Sequence, residues 1–132
     1  MADVERIRRA IGEWPYFRDN PQDIEGEVEN WIEAIVVGVR DGYQIVIING
    51  EAAEELGNGS TITIPEAHQV SIELPVEDPS QLTDSALRDC ALHMLEAASE
   101  TLKDTGSEVM WLKYNEQAGR WDAISAFDEL GY

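Results

Sequence analysis

Apolar residues recur at helical spacing along the first fourteen positions, with charged residues on the rest of the helical wheel. This pattern predicts an amphipathic helix over residues 3–14. Pro15 is expected to end that helix, because proline disfavours the α conformation in the residue before it. Residues 16–26 contain Pro21 and several turn formers, which predict a loop. The apolar stripe of the helix consists of Val4, Ile7, Ile11 and Trp14.

A β-hairpin is predicted in the next stretch, with residues 27–40 and 43–49 as its strands. Asp41–Gly42 separates two runs rich in β-branched residues, which is the signal of a two-residue type I′ turn. The inner parts of both strands are apolar at every position, whereas a half-buried strand alternates. We therefore expect a second sheet or another subunit to cover the second face of this hairpin.

The remaining elements follow from similar patterns. Residues 61–64 and 68–74 are predicted to be strands, after a possible single helical turn at 51–56. A long amphipathic helix is expected over residues 84–103, with Thr83 as its N-cap. A final hairpin pairs 108–114 with 120–127. Together these elements predict a single α+β domain over residues 1–132, with a mainly antiparallel sheet, two helices packed on one face and the order α-β-β-β-β-α-β-β.

The charge balance limits the partners that this chain can have. Twenty-seven Asp and Glu face nine Lys and Arg, which gives a formal net charge of -18 and an isoelectric point near 4.1. A surface this negative repels nucleic acids and anionic membranes. Three situations fit the composition: a salt-adapted protein, a mimic of nucleic acid, and a wall past which DNA slides without sticking. No apolar run reaches the ~20 residues of a membrane helix, and no signal peptide is evident at the start.

No residue pattern points to a catalytic or metal site, so we expect no enzyme activity, no cofactor and no metal. His93 has Asp89 and Glu96 one turn away, which is better explained as a solvated face than as a metal site, since zinc needs three or four ligands. Cys90 is predicted to be a small buried hydrophobe rather than a nucleophile. His68 is interpreted as structural, and residues 57–60 as a turn rather than a phosphate loop.

Two groups of residues are candidates for binding a partner. Glu25, Glu27 and Glu29 occupy alternate positions, and Glu33 continues the series. In an extended strand these carboxylates lie on one face about 6.6 Å apart and can imitate a phosphate backbone, although a charged row also protects an edge strand from aggregation. Core or interface anchors are expected among the aromatic residues, above all Trp31, Trp111 and Trp121.

The order of elements resembles that of the tail-terminator proteins of long-tailed bacteriophages. The resemblance rests on an opening helix around residues 7–11, a strand over 31–39, a strand over 70–75 that ends in proline before a long helix, and a closing hairpin around 119–121. It implies a non-enzymatic structural subunit of a virus particle that forms a homo-oligomeric ring with an acidic, DNA-repelling lumen. The implied location is the virion, after assembly in the host cytoplasm.

Two other functions remain open from the sequence. One is an acidic mimic of nucleic acid, such as a phage anti-defence or immunity protein, that blocks the basic groove of a nucleic-acid-binding enzyme in the cytoplasm. The other is an acidic chaperone of the kind used in protein secretion. All three hypotheses act through protein–protein contact, with no direct binding of nucleic acid or membrane.

Overall fold

The computed structural model describes residues 3–48, 50, 69–71, 83–117 and 119–131. The predicted elements at 51–56, 57–60 and 61–64, together with His68, lie outside the described residues. The strands are β1 (Gln44–Ile48), β2 (Gln69–Ser71), β3 (Glu108–Asn115) and β4 (Arg120–Ser125). The helices are α1 (Val4–Ile11), α2 (Pro15–Asp19), α3 (Ile24–Arg40), α4 (Asp84–Ala97), α5 (Ser99–Leu102) and α6 (Ala126–Leu130), with a 3₁₀ turn at Pro21–Asp23.

Two predicted helices are confirmed, although the first ends at Ile11 rather than Trp14 and the second is divided in two at Ala98. Their caps explain where they begin. The Asp3 carboxylate accepts a hydrogen bond from the Arg6 amide at 3.2 Å and so caps α1. The Thr83 hydroxyl accepts one from the Ala86 amide at 3.1 Å and caps α4. The expected loop over residues 16–26 is wrong, because Pro15 begins α2 as well as ending the previous turn.

The largest correction is that residues 27–40 are helical, as part of the seventeen-residue helix α3. Asp41–Gly42 therefore ends a helix instead of turning a hairpin. Gly42 has a φ of 84°, and its amide bonds to the Val39 carbonyl at 3.1 Å while the Tyr43 amide bonds to the Gly38 carbonyl at 2.9 Å. These two bonds form a Schellman motif, in which glycine takes the left-handed position after the helix.

The sheet has the order β2-β1-β3-β4, and each neighbouring pair is antiparallel. β1 pairs with β2 and β3, with Ile47 opposite Val70 on one side and Val109 on the other. The expected partner of β1, the segment 27–40, is the helix α3 instead. The closing hairpin is confirmed, with Lys113 opposite Asp122. Its second strand is shorter than expected, because residues 126 and 127 begin the helix α6.

The predicted arrangement of two helices on one face of a six-stranded sheet is wrong. Among the described residues, α3 packs against β1 and β3, while α1 and α4 pack against α3. The core lies between these helices and one face of the sheet, and Trp31 from α3 and Trp111 from β3 are both part of it. Helix α3 itself takes the place of the strand expected over residues 27–40, because its buried residues recur at helical rather than alternating positions.

The apolar strand β1 is buried within a single chain. Ile45, Val46, Ile47 and Ile48 are each at most 3% exposed, although successive side chains point to opposite faces of the sheet. Ile45 and Ile47 belong to the core beneath α3. This segment therefore needs no second subunit to cover it.

Candidate functional site

Helix α3 places three of the four candidate glutamates on one exposed face. Glu25, Glu29 and Glu33 are four residues apart and are all exposed. With a rise of about 1.5 Å per residue, neighbouring members of this row are about 6 Å apart along the helix axis. We call these three residues the glutamate row. The expected spacing along an extended strand is wrong, although a regular row of carboxylates does exist.

Glu27 does not belong to the glutamate row. Its carboxylate accepts a hydrogen bond from the Trp31 indole nitrogen at 3.0 Å, and its side chain is half-buried. Burial raises the pKa of Glu27, and the hydrogen bond from Trp31 opposes that rise. Glu27 lies at the border between the buried and exposed faces of α3. It follows Glu25 by two residues, and residues two apart in a helix point to different faces.

Two members of the glutamate row form ion pairs with arginines of neighbouring helices. Arg8 of α1 contacts Glu25 through an ion pair, with a further Nη2–Oε2 distance of 3.3 Å. Arg88 of α4 binds Glu29 with two parallel hydrogen bonds of 2.8 and 2.6 Å. The bonds from Arg88 lower the pKa of Glu29, and the bond to Glu25 raises the pKa of Arg8. These exposed pairs orient the helices, but each contributes only about 0–1 kcal/mol to stability.

Arg8 and Arg88 are the participants that the sequence reasoning missed. The i, i+4 spacing of Glu25 and Glu29 is a sequence signal for a charged helix face, but it does not identify the arginines of other helices that bind there. A second link between the same helices joins Arg40, at the end of α3, to Asp84 at the start of α4. The acidic face of α3 therefore lies along its contacts with both neighbouring helices.

The aromatic candidates divide between the core and the part of the chain that is not described. Trp31 is fully buried and meets Phe127 edge to face, with ring centroids 5.0 Å apart. Trp111 is 3% exposed, and its indole nitrogen donates to the Ala34 carbonyl at 2.8 Å. These two tryptophans anchor the core and offer no contact surface. The Trp121 side chain lies outside the described residues.

The titratable groups discussed above are not gathered into one site. His93 and Asp89 form an exposed pair with 3.4 Å between Nε2 and Oδ2. Glu96 instead accepts a hydrogen bond from the Asp3 amide at 3.0 Å. Cys90 is half-buried. Within the described ranges, no three metal-ligating side chains lie close enough together to hold an ion.

The described helices also include none that is long and apolar enough to cross a membrane. The described part of the chain therefore presents a negatively charged surface that includes the glutamate row. Comparisons with protein-family models, curated proteins and solved structures found no match to this chain.

Proposed function

We propose that this protein is a non-enzymatic binding protein that occupies a basic surface of another protein, in competition with nucleic acid. The single observation that supports this most strongly is the glutamate row of α3, a regular series of exposed carboxylates on a rigid helix. A DNA strand carries one charge per ~3.4 Å of axis, so every second phosphate is about 7 Å apart. The ~6 Å spacing of the row is close to that distance.

The charge of the whole surface supports the same function. None of the carboxylates among the residues whose burial is described is buried; each is exposed or half-buried. A net charge of -18 accelerates the encounter of this chain with a basic protein and disfavours its own binding to nucleic acid. The protein therefore meets a basic groove under the same electrostatic attraction that brings nucleic acid to it.

The ion pairs within the row are compatible with binding a partner. The Glu25 side chain is 62% exposed and that of Glu29 is 54% exposed, so both remain accessible. Since exposed pairs contribute about 0–1 kcal/mol, an arginine of the partner can share or displace Arg8 and Arg88. A carboxylate that is already oriented by one arginine loses less side-chain freedom when it binds a second.

A competition assay tests this function. Labelled duplex DNA is bound to each of a panel of basic nucleases and DNA-binding proteins, and the chain is added at two salt concentrations. We expect release of DNA from at least one panel member, with an affinity that falls as salt rises. Failure to release DNA from any of them, or release that salt does not weaken, would contradict the proposal.

Matched variants locate the surface. Replacing Glu25, Glu29 and Glu33 with Gln changes the charge by three, and replacing Asp104, Glu116 and Glu129 with the corresponding amides changes it equally. The first variant should bind at least about tenfold more weakly, since charge-assisted hydrogen bonds contribute roughly 1.5–3 kcal/mol each. The second should bind nearly as well as the unmodified chain. Equal losses would show that dispersed charge, and not the glutamate row, does the binding.

The ring-forming particle subunit remains a separate prediction. Its motivation was an apolar hairpin that needed cover from another subunit, and that segment is instead a helix and a strand buried in one chain. We therefore place the competitor first. The mass of the protein in solution distinguishes the two hypotheses.

A further inference from the structure

A cleft between α1 and α5 combines unpaired positive charge with a buried hydroxyl. Its volume is about 320 Å³, which is enough for a small polyatomic anion with part of the molecule that carries it. We call it the Arg6/Arg9 cleft. It is lined by Arg6, Arg9, Ala10, Glu13, Ser99, Glu100 and Lys103.

The two arginines that flank this cleft have no carboxylate partner in the described part of the chain. Arg9 makes one hydrogen bond, from Nε to the Glu5 backbone carbonyl at 3.4 Å. The chain as a whole has three times as many acids as bases. Among the described residues, the bases that form ion pairs with carboxylates are Arg8, Arg18, Arg40, Arg88 and Lys103.

The Ser99 hydroxyl supplies a second, independent observation. Ser99 is 2% exposed, and its Oγ has no hydrogen-bond partner among the described residues. Buried polar groups are almost always hydrogen-bonded, because losing water without a replacement is unfavourable. Since Ser99 lines the cleft, an acceptor bound there can receive its hydroxyl hydrogen.

The acids at the cleft are already engaged. Glu13 pairs with Arg18 at 3.0 Å, and Glu100 pairs with Lys103 at 3.1 Å. Arg6 and Arg9 therefore give the cleft a local excess of positive charge. At physiological salt the Debye length is ~8 Å, so screening reduces the repulsion of a bound anion by those carboxylates that lie farther than this from the cleft.

We propose that the Arg6/Arg9 cleft binds the phosphate group of a small soluble molecule. Arg6 and Arg9 hold the phosphate oxygens with their guanidinium groups, a geometry that suits oxyanions. The Ser99 hydroxyl donates a further hydrogen bond from the cleft wall. This function is separate from the glutamate row, which lies on α3.

Inorganic phosphate is the probe for this site. The isotope-labelled full chain is titrated at constant ionic strength, with chloride replaced by phosphate, and the amide signals are followed by NMR. We expect saturable shifts confined to residues 6–13 and 99–103. Shifts that spread over the whole chain, or that do not saturate, would overturn the proposal. Acetate should bind more weakly, and equal binding of acetate would overturn the assignment to phosphate.

Variants test the residues. Arg9→Gln should weaken phosphate binding about tenfold or more, because it removes a charge-assisted hydrogen bond. Arg40→Gln makes the same change of net charge away from the cleft and should leave phosphate binding unchanged. An equal loss in both variants would refute the cleft as the site.

Ser99→Ala tests whether the buried hydroxyl binds the ligand or is simply an unsatisfied polar group with no role in binding. We expect about tenfold weaker phosphate binding, from the loss of one hydrogen bond to a charged acceptor. We also expect an unchanged or raised melting temperature without phosphate, since the variant buries no unpaired hydroxyl. A lowered melting temperature together with unchanged phosphate binding would show that Ser99 serves the fold and not the ligand.

Discussion

Two glycines of α3 allow a direct test of the helix that replaces the expected hairpin. A methyl group on Gly38 would lie 2.6 Å from the Cδ1 atoms of both Ile45 and Trp111, and closer still to the Trp111 indole nitrogen. Carbon atoms pack best at about 3.5–4.0 Å, so these neighbours would have to move by about 1 Å. A methyl group on Gly26 would meet no atom within 4 Å.

Trp111 has little freedom to move away from Gly38. Its indole nitrogen bonds to the Ala34 carbonyl at 2.8 Å, and Tyr43 stacks on its ring at 5.3 Å with an interplanar angle of 15°. Overpacking costs about 1–3 kcal/mol, and a strained or lost buried hydrogen bond adds about 1–3 kcal/mol. The better helix propensity of alanine offsets ~1 kcal/mol of this loss. Gly38→Ala should therefore destabilise the protein by roughly 1–5 kcal/mol.

Gly26→Ala is the matched control on the same helix. It makes the same chemical change at an exposed position and should stabilise the protein by ~0.5–1 kcal/mol. Denaturant unfolding followed by tryptophan fluorescence measures both free energies of unfolding. If Gly38→Ala stabilised the protein as Gly26→Ala does, or if the two changes were equal, the packing of α3 against β1 and β3 would be wrong.

Three further predictions follow from the same contacts. Burial raises the pKa of Glu27 and of Glu108, so their contribution to stability is full below the ordinary value of 4.5 and is lost as pH rises through the raised pKa values. The free energy of unfolding should therefore increase as pH falls from neutral through the raised pKa values toward 4.5, and Glu27→Gln should raise stability at neutral pH and flatten this dependence. A decrease in the free energy of unfolding over that interval would contradict burial as the cause of the raised pKa values. Arg88 lowers the pKa of Glu29, so the stability from this pair is present above the ordinary pKa of 4.5 and is lost as pH falls through the lowered pKa. Glu29→Gln should cost no more than about 1 kcal/mol of unfolding free energy at neutral pH. A larger loss in the unfolding assay would show that the pair is not a surface contact. Trp31→Ala should cost about 3–5 kcal/mol because it empties a fully buried site, and a loss below about 1 kcal/mol in the same assay would place Trp31 at the surface.

The sequence was sufficient for the elements with a single clear period. The stripe from Leu87 to Leu102 and the capping Thr83 predicted the long helix, and β-branched and aromatic residues on both sides of Gly119 predicted the closing hairpin. In each of these segments the local propensity and the tertiary packing favour the same structure, which is when sequence patterns are most reliable.

The prediction of a strand over residues 27–40 was wrong because it rested on two local signals, each of which also fits a helix. The run from Ile35 to Val37 is β-branched, but that lowers helix propensity by only tenths of a kcal/mol per residue. Asp41–Gly42 fits a type I′ turn and also a helix C-terminus. The helical spacing of Val28, Ile32 and Val39 was the longer-range signal, and burial against the sheet favours it.

The candidate site was predictable in part. A regular row of glutamates was expected and exists, but the helix retains Glu25, Glu29 and Glu33 and turns Glu27 toward Trp31. The arginines that bind the row come from α1 and α4. Their approach depends on tertiary packing, so no local pattern could place them.

The mass of the chain in solution tests most directly the claim that β1 is buried within its own fold. Sedimentation velocity is measured over a range of protein concentrations at about 0.15 M and about 1 M salt, because strong charge repulsion hides association until the Debye length falls to ~3 Å. We predict a single species of 14.8 kDa under all conditions. A stable species at a multiple of that mass, persisting at the lowest concentration, would contradict a self-contained chain and favour the ring.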